Sequence, residues 1–198
     1  QNYAHYQQRY ESSTDPKTGK ILSGHPVAPL AKVGNTRKRG TQVCFKPAAR
    51  VFEDTHFQTD LVRRRVRELA YLNRGVKFVF TDERLKGPAE RTVEYCYEGG
   101  LADFVKYLNT DKNVITEPIV FEASRDGLLV RVAIQYTDSY TESIYSFVNN
   151  VPTPEGGTHE TGFKAAVTKA FNDYARRIGA LKEKDNNLTG DDFREGMT

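Results

Sequence analysis

The chain of 198 residues carries 29 Lys and Arg against 26 Asp and Glu, a formal charge of +3, and 38% of it is hydrophobic. This length allows one large domain or two small ones, and 11 Phe with 11 Tyr argue against disorder. No run approaches the roughly 18 apolar residues of a membrane span, and no N-terminal signal peptide is visible. So weak a positive charge does not by itself indicate a nucleic-acid-binding protein.

The beginning of the chain indicates short strands joined by turns. Tyr3–Tyr10 is predicted as a strand, and Ile21–Val27 as the second arm of a hairpin. Between them, ESSTDPKTGK at 11–20 consists of turn-forming residues. A basic loop, GNTRKRG, follows at 34–40, and TQVCFKP at 41–47 is predicted as a strand that ends at its proline.

The pattern then changes to helical spacing. Apolar residues recur three and four apart from Phe57 to Leu72, which predicts a helix over residues 56–73. Thr55, followed three residues later by Gln58, has the form of a capping box at the start of this helix.

Hairpins and helices follow in the rest of the chain. Residues 76–81 and 92–97 are predicted to pair, and a shorter helix follows from Gly99-Gly100 to about Asn109. Asp126-Gly127 predicts a tight hairpin between two further strands. The strands expected in this part are 119–123, 128–136 and 143–149. Since no linker divides these elements, the sequence predicts one mixed α/β domain over residues 1–198.

Two cysteines, Cys44 and Cys96, lie in alternating apolar runs. We expect them to be buried free thiols on strands, in a reducing compartment. No CxxC pair or Cys/His cluster accompanies them, so no zinc site is predicted.

The most specific segment is PEGGTHETGFKAAVTKAFNDYARR at 154–177. Gly156-Gly157 permits a tight backbone turn, and Thr158 is placed to cap the helix that follows. His159 lies in the first turn of that helix beside Glu160. Three interpretations stay open for this motif: structural capping, contact with a polyanion, or acid–base catalysis by His159 beside the carboxylate.

Basic residues cluster at two other places. RRRVR at 63–67 puts Arg63, Arg67 and Arg74 on one helical stripe, with Arg64 and Glu68 as a neighbouring ion pair. The helical stripe and the loop TRKRG either face phosphate groups or are simply solvated.

Asp191-Asp192 resembles a paired-carboxylate site, but acids are expected at a helix start, where Thr189 and Asp192 form a cap. The motifs HExxH, GxSxG and GxxxxGK[ST] are all missing, and no catalytic residue or metal site is predicted.

Several long motifs resemble, in order, the second or transducer domain of the B subunit of bacterial DNA gyrase and of the equivalent subunit of topoisomerase IV. They are RRRVRELAYLNRGVKFVFTDER, YEGGLADFVKYLN, and NNVPTPEGGTHETGFKAAVTKAFNDYAR followed by LTGDDFREGMT. The likeness extends to PVAPLAKVGNTRKRGTQVCFKP and covers most of residues 20–198.

The resemblance implies an α+β, ribosomal-protein-like split βαβ fold with a left-handed crossover, in which helices pack on a mixed sheet. In the family this domain relays ATP-driven dimer closure to the DNA-cleaving core and lines the cavity for the transported duplex. The family's basic residue after the GF of the GGTH motif faces that cavity, and here the position is Lys164. Lys169, Arg63 and Arg67 are further candidates for that wall, and Gly156, Gly157, Thr158 and His159 form the structural motif.

The resemblance also implies what must come from elsewhere. The nucleotide motifs of the ATPase domain and the Gln-Thr-Lys loop that reaches the γ-phosphate are missing, and the sequence stops within the DDFREGMT motif. We therefore expect no cofactor in this chain, which alone is predicted to be inactive, and ATP with Mg²⁺ in the full-length protein. The implied partners are duplex DNA, the ATPase and cleavage domains of the same protein, the A subunit of gyrase, and a second copy of the B subunit, all in the cytoplasm.

Two other functions stay open from the residues. One is a small-molecule kinase-like enzyme of the same general fold, in which His159 and Glu160 would do acid–base work, although the glycine-rich phosphate loop of such kinases is missing. The other is a stand-alone RNA-binding domain.

Overall fold

The computed structural model describes residues 3–198. The chain divides into two compact units, Gln1–Phe57 and Gln58–Thr198. The division lies where the strand-like pattern of the sequence gives way to helical spacing. The interpretation of residues 1–198 as one domain stays a prediction.

The first unit contains four short strands that pair two by two. They are β1 (Ala4–Gln7), β2 (Tyr10–Thr14), β3 (Ile21–Pro26) and β4 (Ala31–Asn35). β2 pairs antiparallel with β3, and β1 pairs antiparallel with β4. The second arm of the predicted hairpin is confirmed, but the predicted first arm is wrong: Tyr10–Thr14, most of it within the expected turn at 11–20, pairs with β3, whereas Tyr3–Tyr10 contributes β1. Asp15 closes the β2–β3 turn, because its carboxylate accepts hydrogen bonds from the Lys17 amide and the Thr18 hydroxyl.

The predicted strand at residues 41–47 and the predicted burial of both cysteines on strands are wrong, although both thiols are free. Residues 41–47 form no strand, and Val43 and Phe45 are 79% and 71% exposed. Alternation shows which side chains could share a face, but a strand also needs a partner edge, and the strands described in the first unit pair with one another. Cys44 lies in this exposed segment, and Cys96 is exposed directly after a strand that ends at Tyr95.

The second unit begins with helix α1 (Thr59–Leu72) and a hairpin. The elements that follow are β5 (Phe78–Thr81), the one-turn helix α2 (Pro88–Arg91), β6 (Thr92–Tyr95) and α3 (Leu101–Leu108). β5 and β6 pair antiparallel, as predicted. The Thr55–Gln58 capping box is wrong, because Gln58 is itself the residue before the helix and no side chain caps it.

An aromatic cluster packs α1 against α3. Tyr71, only 5% exposed, stacks on Tyr97 and Phe104 with ring centroids 3.7 and 5.1 Å away. Ala70 beside it is fully buried. Stacked rings add to the burial energy of such a cluster, so this contact holds the two helices together.

A long hairpin, a short hairpin and two helices complete the second unit. They are β7 (Ile119–Arg125), β8 (Leu128–Ile134), β9 (Phe147–Val148), β10 (Val151–Pro152), α4 (Thr158–Arg177) and α5 (Gly190–Arg194). Asp126 and Gly127 both have positive φ, 52° and 77°, which confirms the tight β7–β8 turn. The strand predicted at 143–149 shrinks to β9, because Asn149 and Asn150 turn the chain back into β10.

The last residues pair with the continuation of β8. Gln135 and Thr198 exchange both backbone hydrogen bonds, at 3.0 and 2.9 Å, and Tyr136 bridges antiparallel to Met197. Met197 is 2% exposed. The buried amide of Asn109 donates to Gln135 and accepts from Thr198, so α3 is tied to the same place.

The α+β class of the predicted fold is confirmed. The pairings described in residues 3–198 form five two-stranded antiparallel sheets, with helices between them. The predicted mixed sheet and left-handed crossover both require parallel strands. All five strand pairings described in residues 3–198 are antiparallel. Over the same residues, no helix has both the length and the apolar character needed to cross a membrane.

Candidate functional site at the start of helix α4

Two glycines shape the entry to helix α4. Gly156 and Gly157 have φ of 71° and 154°, and a Cβ at Gly157 would lie 2.9 Å from the His159 ring. The residue before the helix is Gly157, so the predicted cap by Thr158 is wrong: Thr158 is already helical, and no side chain caps the helix. Tight backbone geometry at the glycines, rather than a threonine cap, starts α4.

The first turn of α4 bonds to the base of the β9–β10 hairpin. The Ser146 hydroxyl donates to Glu160 Oε2 at 3.1 Å and lies 2.7 Å from Thr153 Oγ1. His159 Nε2 lies 3.1 Å from the same Thr153 hydroxyl. In the described residues no hydrogen bond joins His159 to Glu160, so the two side chains do not form the acid–base pair that one interpretation requires.

Lys164 lies between two carboxylates. Its ammonium is 2.9 Å from Glu142 Oε1 and 3.1 Å from Glu160 Oε1. The other oxygen of Glu142 accepts from Arg194 Nε at 2.8 Å, and Arg194 also pairs with Asp191. We call Glu142, Glu160, Lys164 and Arg194 the Lys164 cluster. It joins α4, α5 and the segment before β9.

Contacts within the Lys164 cluster shift the pKa values of Glu142 and Lys164. Partial burial would raise the pKa of the Glu142 carboxyl, but hydrogen bonds from Lys164 and Arg194 outweigh it and hold that pKa below its usual range. Hydrogen bonds to Glu142 and then Glu160 raise the pKa of the Lys164 ammonium. Lys164 therefore stays charged at neutral pH, with its charge balanced by two neighbouring carboxylates.

A groove of about 530 Å³ runs between α4 and residues 187–194. Three cations line it: Lys164, Lys169 and Arg194. Lys169 has a side chain 76% exposed and pairs with Asp173, one turn along the helix. Every one of these three cations has a carboxylate partner, so the groove carries a balanced rather than a strongly positive charge.

Two of the three arginines on the predicted helical stripe, Arg63 and Arg67, contact protein groups. Arg63 donates to the carbonyl of Glu90, and its guanidinium lies 5.9 Å from the ring centre of Phe80. Arg67 lies 5.2 Å from the rings of both Tyr95 and Tyr107 and donates to the Tyr107 hydroxyl. Both side chains attach α1 to its neighbours.

The predicted ion pair of Arg64 with Glu68 is wrong. Glu68 pairs with Arg65, three residues before it, and Arg64 is exposed. Spacings of three and four both place residues on one helical face, so the sequence alone did not select the partner.

Several residues of the site were missed by the sequence patterns. Glu142, Ser146 and Arg194 lie far from Lys164 along the chain. Glu142 and Ser146 belong to no motif, and the LTGDDFREGMT motif that contains Arg194 gave no sign of its partner. Asn172, 4% exposed, exchanges hydrogen bonds with both backbone groups of Leu188 and ties the α4–α5 connection to α4. Only the pair of Glu160 with Lys164 had a readable signal, its spacing of four in a helix.

No ligand set for a metal is present in the described part of the chain. Across residues 3–198, no three His, Cys, Asp or Glu side chains come together in a way that could hold an ion. ATP and Mg²⁺ stay expectations for a larger protein.

Comparison with known proteins identifies the family. The family model for DNA gyrase B matches residues 100–198. The B subunit of DNA topoisomerase 4 from Enterococcus faecalis is 49% identical over 88% of this chain and 25% of its own length. The B subunit of DNA gyrase from Clostridium acetobutylicum is 48% identical over 88% of this chain and 27% of its own length. The chain thus spans about a quarter of these relatives.

A solved structure agrees with the sequence comparison. The 43K ATPase domain of Thermus thermophilus gyrase B, in complex with an aminocoumarin, is 32% identical to this chain. The TM-score is 0.70, and the match covers 99% of this chain and 54% of that one. The family model, the relatives and this fold agree, and the chain belongs to the DNA gyrase B family.

Proposed function

We propose that this chain is the transducer segment of the B subunit of a type II DNA topoisomerase, which couples ATP-driven closure of the enzyme to DNA strand passage. Membership of the DNA gyrase B family supports the assignment to the B subunit of a type II topoisomerase. A relay of this kind must move as a stiff body, since a soft one would dissipate the displacement it receives.

One observation carries the proposal: a continuous set of polar contacts joins three separate elements. It runs from Ser146 through Glu160 to Lys164, and then through Glu142 to Arg194. The side chain of Arg194 is 13% exposed and that of Lys164 is 35% exposed. Partly buried, charge-assisted hydrogen bonds are stronger than exposed ones, so the cluster stiffens the junction of α4, α5 and the segment before β9.

A wall that faces a passing duplex must attract DNA weakly. Duplex DNA carries one negative charge per roughly 1.7 Å of axis, and tight binding would stall its passage. Lysines paired with carboxylates supply a mild, salt-sensitive attraction. Of the four predicted cavity residues, Lys169 is the best placed for a duplex to reach, Lys164 is half-buried, and Arg63 and Arg67 serve as packing contacts.

The remaining parts of the reaction lie in other modules. The match covers 54% of the T. thermophilus ATPase-domain structure, so nearly half of that structure lies outside the match. In this proposal the isolated chain does not hydrolyse ATP. ATP, Mg²⁺, the DNA-cleaving domains, the A subunit of gyrase and a second copy of the B subunit would join it in the cytoplasm.

The proposal is tested in a complete B subunit that contains this chain, in complex with its A partner. Glu142→Gln removes the central carboxylate of the cluster and keeps the size of the side chain. We expect more ATP to be hydrolysed per supercoil introduced, because the contacts of Glu142 with Lys164 and with Arg194 are both weakened. The rate of ATP hydrolysis itself should change little. Glu122→Gln, the same change at the exposed pair of Glu122 with Arg131 in the β7–β8 hairpin, is the control and should leave this ratio unchanged. An unchanged ratio in Glu142→Gln would refute the coupling role.

A further inference from the structure

The short hairpin of residues 146–153 contacts two helices, one at each end. Its strands β9 and β10 pair antiparallel, and its turn consists of Asn149 and Asn150, whose φ values are 49° and 65°. Two successive residues of positive φ match the twist of a two-residue hairpin turn. At a strand rise of about 3.4 Å per residue, the turn and the base lie roughly 10 Å apart.

The turn is bound to helix α1. Arg65 donates to the carbonyl of Asn150, and the Asn150 amide donates to Asn73 Oδ1 at 3.0 Å. Asn73 ends α1 and donates its own amide to the carbonyl of Leu69. All three of these hydrogen bonds are partly buried, so water competes for them less than at an open surface.

The base is bound to helix α4. The Thr153 amide donates to the Ser146 carbonyl at 2.9 Å, which closes the hairpin. The two hydroxyls of these residues contact Glu160 and His159, in the first turn of α4. The hairpin therefore has polar attachments at both ends and cross-strand bonds between them.

We infer that the 146–153 hairpin transmits displacement of α1 to the start of α4, and that Asn150 is the positioning residue at its α1 end. This inference rests on the proposed coupling function and specifies one route for it. Asn150 suits the role because asparagine tolerates positive φ and also supplies an amide donor. Glycine would keep the turn and lose the donor.

Asn149 provides a matched control within the same turn. It has the same left-handed backbone conformation, its side chain is exposed, and across residues 3–198 no hydrogen bond of that side chain is found. Asn149→Gly and Asn150→Gly therefore loosen the turn backbone equally, but only Asn150→Gly removes the contact with Asn73.

The test is amide hydrogen exchange on the 198-residue chain. In Asn150→Gly, amides of residues 161–167 in α4 should exchange about fivefold faster, the factor expected when one hydrogen bond is lost. Asn149→Gly should leave them unchanged. Faster exchange confined to residues 147–152, or an equal effect of both substitutions, overturns the inference.

A reciprocal measurement covers the case of a poorly folded variant. Coupling between two sites acts equally in both directions. Ser146→Ala at the base of the hairpin should therefore accelerate hydrogen exchange of the backbone amide of Asn73 at the end of α1. Unchanged exchange at Asn73 would overturn the inference even if Asn150→Gly did not fold.

A functional readout separates this inference from the proposed function. In the assembled enzyme, Asn150→Gly should raise the ATP used per supercoil more than Asn149→Gly does. A purely structural defect would instead lower ATP hydrolysis and supercoiling in proportion and leave their ratio unchanged. If Glu142→Gln uncouples the enzyme and Asn150→Gly does not, the hairpin route is wrong and the coupling function stands. If exchange is transmitted but neither variant uncouples the enzyme, the coupling function is refuted.

Discussion

The ammonium of Lys164 lies 2.9 Å from Glu142 Oε1. These residues stand on different elements, since Glu142 precedes β9 and Lys164 is in the second turn of α4. Their contact makes Lys164 a junction between parts of the second unit, in addition to any contact it makes with DNA.

The first prediction compares two lysines of α4 by stability. Lys164→Gln should lower the free energy of unfolding by about 1 kcal/mol, because two partly buried ion pairs are lost and solvent screens them only in part. Lys169→Gln breaks one exposed pair and should cost about 0.3 kcal/mol. Urea unfolding of the 198-residue chain measures both. Equal losses would show that the Lys164 cluster contributes no more than a surface ion pair.

The second prediction concerns acid pH. The pKa of Glu142 is lowered in the folded chain, so its stabilisation is present above the usual carboxyl pKa of about 4.3 and is lost as pH falls through the lowered value. The stability difference between the native chain and Glu142→Gln should therefore shrink from about pH 5 downwards. Other carboxyls with lowered pKa, such as Asp82, are common to both proteins and cancel. A difference that stays constant through this range contradicts the prediction.

The third prediction concerns alkaline pH. Burial, followed by the Tyr97 hydroxyl, raises the pKa of Tyr71 in the folded chain, so the fold loses stability as pH rises above the usual tyrosine value of about 10. Tyr71→Phe keeps the stacked ring and removes the ionisable group. We expect the alkaline unfolding midpoint, followed by circular dichroism, to move to higher pH. Tyr140→Phe, at a residue 86% exposed, is the control and should not move it.

The fourth prediction concerns DNA. The isolated chain should bind duplex DNA weakly, and each phosphate contact should add about 0.9 to the slope of log affinity against log salt. Lys169→Gln removes one phosphate contact and should therefore reduce the magnitude of this slope by about 0.9. Asp173→Asn releases Lys169 from its partner and should raise affinity at low salt. Fluorescence anisotropy with a labelled duplex measures both. Salt-independent binding, or no response to either substitution, would remove Lys169 from the proposed DNA-facing wall.

Local patterns were sufficient for most elements of the fold. Helical spacing located α1, the Gly156-Gly157 turn located the start of α4, and the Asp126-Gly127 pair located the β7–β8 turn. Thr189 with Asp192 formed the predicted capping box of α5. These features depend on residues within one or two turns of each other. Their geometry is set by backbone dihedral angles that the local residues themselves prefer.

The same patterns failed where a residue needed a distant partner. Apolar and polar residues alternate in residues 41–47 as in a strand, but this segment pairs with no strand edge in the described residues. Cys44 is exposed there. Arg67 belongs to a basic stripe in the sequence, but two tyrosine rings from other elements enclose its guanidinium. In both cases the deciding neighbours lie many residues away along the chain.

The amino-acid sequence by itself determined the family, the α+β class and the glycine turn before α4, because each depends on motifs of residues that are close along the chain. Only the tertiary structure brought Glu142 and Arg194 to Lys164, and Asn150 to Asn73. The physical reason is range: periodicity and turn chemistry act over a few residues, whereas an ion pair or hydrogen bond between distant residues exists only after the elements that carry them have packed.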